Sequence, residues 1–372
     1  MNIRENVNAI LHYEKYDRMP IVAFGFWSET VDKWAAEGHI TEDERMGYHS
    51  GGDGSALTQS ILKKLGFDYN WGDSFWCPTD LYPKFKSEVL EIQENGHQIL
   101  RNEDGLIVLE KPGIVSIPAE IGTSLTGREA WEELYLPKLQ FSLERINTEH
   151  LNSLPELSTR ELPYGVNCGS MYGRIRDLLG VEHLSYLYYD DEELYREMVE
   201  TFGNLAYQIV KHVLDSGAQF DYGHFWEDIC FKNGPLVSPA IFHEIVGPQY
   251  KRITSLLNSH GIDIVSLDCD GKIDALIPTW LENGVNTMFP IEVGTWEASI
   301  IPWREQYGKK ILGIGGMNKT VFAQDRKAVD KEIERLKAMI ALGGFIPCPD
   351  HRIPPDAIFE NVQYYCEQMN KL

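Results

Sequence analysis

GIDIVSLDCDGKIDALIPTW, residues 261–280, decides how the chain is read. Its first half is β-rich and apolar, it ends on two acids and a glycine, and a stretch with helical spacing follows. A strand that closes on polar residues and hands over to a helix is one unit of a βα alternation. If the extended conformation persists through residues 266–271, side chains alternate. Asp268 and Asp270 then share one face, and Cys269 takes the other.

The same unit recurs from Pro20 onward. The runs are PIVAFG (20–25), FDYNWG (67–72), PYGVNCG (163–169), QFDYGHF (219–225), IDIVSLD (262–268), VNTMFPIE (285–292), KILGIGG (310–316) and GFIPC (344–348). Eight such runs predict parallel strands closing a (β/α)8 TIM barrel, and 372 residues lies within the range one barrel fills. The segment between the second and third runs breaks the alternation. In it, HQILRNEDGLIVLEKPG has two β-rich halves around Glu103, Asp104 and Gly105, a hairpin signal. The expected organisation is therefore one domain over residues 1–372, with a β-hairpin insertion between early strands at about 80–120. Ser238 with Pro239 reads as an N-cap and first helical position of a later helix.

The formal charge of −22 argues against a nucleic-acid partner, which would need a basic stripe. The first twenty residues have no apolar core of the signal-peptide kind, and no apolar run is long enough to span a bilayer. The expected location is the cytoplasm, with no membrane partner. Six cysteines are scattered without a C-x-x-C pair and read as free thiols. Nine tryptophans, several near strand ends, suit a flat apolar ligand.

In a barrel of this kind the active site gathers at the carboxyl ends of the strands. That rule selects His224, Glu227, Asp228, Asp268, Asp270, Glu292, Asp350 and His351. Asp268, Asp270 and His351 form a three-ligand set for zinc or a similar divalent ion, with a position left open for substrate. A D-x-D after a strand is also a common loop-capping pair, and a lone histidine is often structural. Glu227 and Asp228 could lead into a loop or cap a helix. Glu292 could serve as acid or base or as a buried partner, and Cys269 and Cys348 read as buried thiols with a thiolate metal site as the rival.

ILHYEKYDRMP (10–20), WEDICFKNGPLVSPAIFHEIVGPQYKRI (226–253), VSLDCDGKIDALIPTWLENGVNTMFPIE (265–292) and GGFIPCPDHRIPPD (343–356) together resemble the uroporphyrinogen decarboxylase superfamily. The resemblance spans nearly the whole chain, and its last two segments are the most specific. It implies a (β/α)8 barrel and one of two chemistries. The porphyrinogen decarboxylases present an arginine-rich element soon after the first strand. Here residues 24–45 read FGFWSETVDKWAAEGHITEDER, with no arginine between Arg18 and Arg45, and the net charge repels a polyanionic substrate.

The other branch moves methyl groups to or from corrinoid proteins, using zinc held by His-x-Cys and a later Cys. In this sequence those positions fall on Asp268, Asp270 and His351, each a competent ligand of a different type. Oxygen and nitrogen ligands make a harder, more Lewis-acidic centre than thiolates, suited to polarising an ether oxygen. The resemblance thus implies a methyltransferase that demethylates a small, aromatic methyl ether. Glu227, Glu292 and His224 would be its catalytic residues, and Phe26, Trp27, Trp71, Trp76, Trp226 and Asn167 would line the substrate. The corrinoid cofactor (cobalamin) would arrive on a partner protein, since no D-x-H-x-x-G is present; a homodimer is compatible with the same fold. A lyase acting on a small carboxylated substrate and a non-catalytic small-molecule-binding barrel are the alternatives.

Overall fold

A computed structural model describes residues 1–112 and 118–372. Each of the eight apolar runs becomes a strand: β1 (Val22–Ala23), β2 (Tyr69–Asn70, resuming at Ser74–Phe75), β3 (Gly165–Gly169), β4 (Tyr222–Trp226), β5 (Val265–Asp268), β6 (Thr287–Phe289), β7 (Leu312–Met317) and β8 (Phe345–Pro349). The second half of β2 and β3 through β8 pair in sequence order as one seven-stranded parallel sheet, and β1 pairs with the first half of β2. Between β8 and β1 the ladder narrows to a single parallel bridge of Phe26 with Ile353. The Ile353 N–H donates to the Gly25 carbonyl at 3.0 Å and its own carbonyl accepts from the Trp27 N–H at 3.2 Å. This is the ring of a (β/α)8 barrel. Every residue of β7 and β8 is buried, which explains why these strands read as continuous apolar runs without alternation.

The helices wrap the ring with one apolar face inward. In Glu192–Asp215 the buried positions include Leu194, Met198, Leu205, Ile209 and Val213, and Asp191 caps its first turn by accepting from the Leu194 N–H. Each such fully buried aliphatic side chain contributes about 1.5–3 kcal/mol relative to exposure. Ser238 stands at the expected N-cap position with Pro239 next, but its side chain makes no capping hydrogen bond; the proline already removes one of the orphan N–H groups.

The insertion is larger than a hairpin. Four antiparallel strands, Glu88–Ile92, Gln98–Arg101, Leu106–Glu110 and Ala119–Thr123, pair in consecutive order. The predicted hairpin is the central pair, turned by Gly105 at φ 85° with the Asn102 side chain accepting from the Asp104 and Leu106 N–H groups. The outer strand Glu88–Ile92 is exposed at all its positions, so it carries no hydrophobic alternation by which it could be read. Of the insertion expected at about 80–120, residues 113–117 lie outside the described residues. Among the described residues, no helix is long and apolar enough to cross a membrane. All six cysteines are free and buried.

Candidate active site

At the ends of β4 and β5 three carboxylates converge. Asp228, Asp268 and Asp270 each offer an oxygen, all within 4.8 Å of one another. The backbone builds the cluster. Asp228 sits at φ 49°, a left-handed conformation that non-glycine residues adopt at a cost, and its Oδ1 accepts from the Asp270 N–H at 3.1 Å. Gly271 follows at φ 84°, where an added Cβ would lie 2.3 Å from the Cys230 carbonyl oxygen. Its N–H donates to Glu292 Oε2 at 2.5 Å, and Glu292 Oε1 accepts from the Thr295 hydroxyl at 2.8 Å. From the end of β8, His351 places Nε2 3.1 Å from Asp270 Oδ2, with its ring stacked on Trp27 at 5.5 Å. Cys269 is buried beside Cys230, and burial pushes its thiol well up.

Burial and mutual repulsion set the protonation of these acids. Burial, then the Asp270 charge, pushes Asp228 up to about 7. Burial, then Asp228 and Asp270, hold Asp268 well above the usual carboxylate range. Glu292 is raised by burial and next by Asp270. Burial depresses His224 to about 4, so its ring is neutral at pH 7. Trp71 Nε1–H donates to Ser266 Oγ at 3.0 Å, which leaves the serine hydroxyl free to donate to His224 Nδ1 at 3.2 Å. That chain assigns the His224 proton to Nε2.

Of the three acids, Asp268 lines a chamber of about 300 Å³, with Phe24, Trp71, Asp73, His224 and Phe289 among its other walls. A second chamber of about 230 Å³ is lined by Thr79, Asp80, Asn167, Arg174 and Trp226. The two share Gly72, Ser74, Trp76 and His224. Trp71 is stacked on Tyr222 at 4.4 Å, and Trp226 lies under the guanidinium groups of Arg174 at 4.6 Å and Arg176 at 5.5 Å. Aromatic rings and polar side chains thus alternate around both walls.

Several expected residues meet here, and several do not. His224, Trp71, Trp226, Asn167 and Asp268 line the chambers, Trp76 stands at the entrance 60% exposed, and Trp27 lies at the rim over His351. Phe26 does not reach the chamber: it is buried against Trp34 and Tyr48, because Gly25 at φ 106° breaks the alternation and leaves Phe24 as the residue facing in. Glu227 is 0% exposed and turned from the mouth. It accepts from the Ser170 hydroxyl at 2.9 Å, from the Met171, Tyr172 and Gly173 N–H groups at 2.7, 3.0 and 2.7 Å, and from the Tyr250 hydroxyl. Its carboxylate anchors the N-terminus of the helix Gly173–Asp190, and Asp228 takes the place at the mouth expected of it. Asp350 is likewise structural, accepting from the Val293, Gly294 and Lys319 N–H groups.

Sequence reasoning did not single out Asp73, Asp80, Arg174, Phe24 or Phe289. Burial, then the nearby Asp53, pushes Asp73 up to about 7. It follows the second apolar run by one residue, so the strand-end rule carried one position further would have found it. Arg352 beside His351 is held bidentately by Asp53, at 3.1 and 2.6 Å.

The family model described as "Uroporphyrinogen decarboxylase (URO-D)" matches residues 142–372. The chain belongs to the uroporphyrinogen decarboxylase family. The matched span runs from before β3 to the C-terminus and so contains Asp228, Asp268, Asp270, Glu292 and His351. Among solved structures, a methyltransferase from Methanosarcina mazei is similar over 100% of this chain and 99% of its own, at 14% identity and a TM-score of 0.58. A B12-independent methionine synthase from Shewanella sp. W3-18-1, in complex with selenomethionine, is similar over 95% of this chain and 98% of its own, at 11% identity and a TM-score of 0.50. At such identities the likeness is one of fold. No curated protein sequence matches the chain.

Proposed function

We infer that this member of the uroporphyrinogen decarboxylase family is an enzyme that moves a methyl group from a small aromatic methyl ether to the cob(I)alamin of a separate corrinoid protein. One observation carries the reading: a cluster of carboxyl groups, one of which, Asp268, lines a partly aromatic chamber, raised so that it holds a proton or a cation near neutral pH. The similarity in fold to a methyltransferase agrees with it. Ether cleavage needs charge stabilised on the departing oxygen as its bond to the methyl carbon breaks. Asp268 keeps its proton through burial and through Asp228 and Asp270, and gives it to that oxygen. His224 donates Nε2–H to the donor and orients it, while Trp71, Phe24 and Phe289 clamp the ring and exclude water. A corrinoid on its carrier would supply the nucleophile for the methyl carbon.

The same residues fit a divalent cation. Among the described residues, Asp270 Oδ1 is buried with no hydrogen-bond partner, and three carboxylates this close repel one another unless a proton or an ion intervenes. Asp228, Asp268 and Asp270 would hold the ion, zinc or a harder metal, as a Lewis acid toward the same oxygen, with His351 orienting Asp270. This exchanges His351 for Asp228 in the expected ligand set, since His351 reaches only the Asp270 carboxylate of the three.

Linkage gives a test. Acids raised in the folded state hold protons that the unfolded chain has released, so Asp228 makes stability fall as pH rises from about 4 to about 7. His224, depressed to about 4 from 6.5, acts oppositely below 6.5. Above that value only the acids remain. The melting temperature of chelator-treated protein should therefore drop between pH 6.5 and the alkaline side of 7. Added manganese or zinc should restore about 2.7 kcal/mol at a hundredfold excess over Kd. Asp270→Asn should flatten the slope and remove the metal effect; a wild-type melting curve indifferent to both metals would count against the cation. The activity itself is tested by release of a demethylated phenol that depends on added cob(I)alamin. Carbon dioxide release without corrinoid would overturn it in favour of the lyase.

A further inference from the structure

Resting on the methyl-ether reading, we propose that Asp73 is the specificity-determining residue of the 300 Å³ chamber and takes a protonated amine carried by the donor, so that the site selects a methoxyarylalkylamine over a methoxylated alcohol or carboxylate. Asp73 lies in the gap between the two halves of β2, after Gly72 at φ 102°. Its carbonyl is pinned, accepting from the Tyr222 hydroxyl at 2.8 Å and from the Gly165 N–H at 3.0 Å. The residue is only partly buried, and it lines both this chamber and a neighbouring cavity of about 810 Å³. Among the described residues nothing donates to its carboxyl group and no cation lowers it; burial and Asp53 are what act on it. A fixed carboxyl group that lines two cavities without a partner is a place for a ligand's donor.

The surroundings favour a cation over a neutral donor. Asp53, Asp73 and Asp268 all line the chamber, and among the described residues no lysine or arginine does. The nearby Arg352 is already bound bidentately to Asp53, and His224, depressed to about 4, is uncharged. A ligand carboxylate would therefore add like charge without a counter-ion. A hydroxyl would give Asp73 a hydrogen bond but leave its repulsion with Asp53 in place. An ammonium offers three donors and offsets that repulsion as well. The rings of Trp71 and Trp76 on the same walls suit a cation and not an anion. Because Asp73 and Asp268 line one chamber, a single aromatic donor turns its methoxyl toward Asp268 and its ammonium toward Asp73.

Calorimetric titration of the full-length protein with meta-methoxybenzylamine, meta-methoxybenzyl alcohol and meta-methoxybenzoate tests this without turnover. At about pH 8 Asp73, raised to about 7, is ionised and an alkylamine is still protonated. The amine should bind about tenfold more tightly than the alcohol, the difference between a charge-assisted and a neutral hydrogen bond, and more tightly still than the benzoate. Asp73→Asn, which removes no hydrogen bond of the fold, should erase the amine's advantage and leave the alcohol within about twofold. Alcohol or benzoate binding as tight as the amine, or an equal loss of amine and alcohol in Asp73→Asn, would overturn the subsite. An amine bound through Asp73 that released no phenol with added cob(I)alamin would leave the subsite standing and remove the methyl-ether reading, so the two failures are distinct.

Discussion

Asp268→Asn lowers the rate of methyl transfer roughly 10²–10⁴-fold, the usual contribution of a positioned acid, and leaves KM for the donor within a few-fold. Asparagine keeps the shape of the side chain and so the 300 Å³ chamber, but it cannot give up a proton to a departing oxygen and is a poor ligand for a cation. The interaction lost is one made in the transition state, which is why kcat carries the effect. The pH profile separates the two roles. If Asp268 works as a proton donor, ionisation of Asp228 near 7 strengthens its hold on the proton, and the wild-type rate falls only at the more alkaline pH where Asp268 itself ionises. If a cation holds the three oxygens, the acids are already ionised and the rate stays level through that range. Initial rates with a methoxylated aromatic donor and cob(I)alamin decide it; an Asp268→Asn enzyme within threefold of wild type would remove the cluster from the chemistry.

Glu227→Ala costs about 3–5 kcal/mol of folding stability, read as a shift of the urea midpoint at unchanged slope. Its carboxylate receives five donors inside the protein: a serine hydroxyl, a tyrosine hydroxyl and three backbone N–H groups at the start of the helix Gly173–Asp190. Alanine strands all five donors inside the protein. The approach is so close that a Cβ on Gly173 would lie 2.0 Å from the Glu227 carbonyl oxygen, so the surroundings cannot collapse inward to compensate. Glu227→Gln should fall between wild type and alanine, since an amide keeps one acceptor and turns a second donor against donors. A midpoint unmoved by Glu227→Ala would contradict the anchoring role.

The barrel was legible because parallel strands covered on both faces must be apolar along their whole length, and eight such runs ending on polar residues leave little other topology. Asp268 and Asp270 could be read together because the strand runs to Asp268 and no left-handed residue intervenes before Gly271. Where the backbone departs from that regularity the reading failed. Gly25 turns Phe26 away and admits Phe24, and the left-handed Asp228 exchanges the facing of neighbouring acids, so that Glu227 points into the protein and Asp228 toward Asp268 and Asp270. No local pattern marks which of two adjacent acids will be drawn inward by donors from a distant segment. The chamber walls were harder still, because Asp73, Asp80 and Arg174 come together only through folding.

The clustered acids come from one part of the chain, and the walls from two. Asp228, Asp268, Asp270 and His351 lie within residues 142–372, the span the family model matches, together with the wall residues Asn167, Arg174, Trp226 and Phe289, whereas Phe24, Trp71, Asp73, Trp76 and Asp80 precede it. The two parts meet across the β2–β3 pairing and at the single bridge of Phe26 with Ile353. Mutation in the first third can therefore reshape one side of the chambers while the clustered acids and the opposite side stand still, so relatives with the same acids need not share a diet.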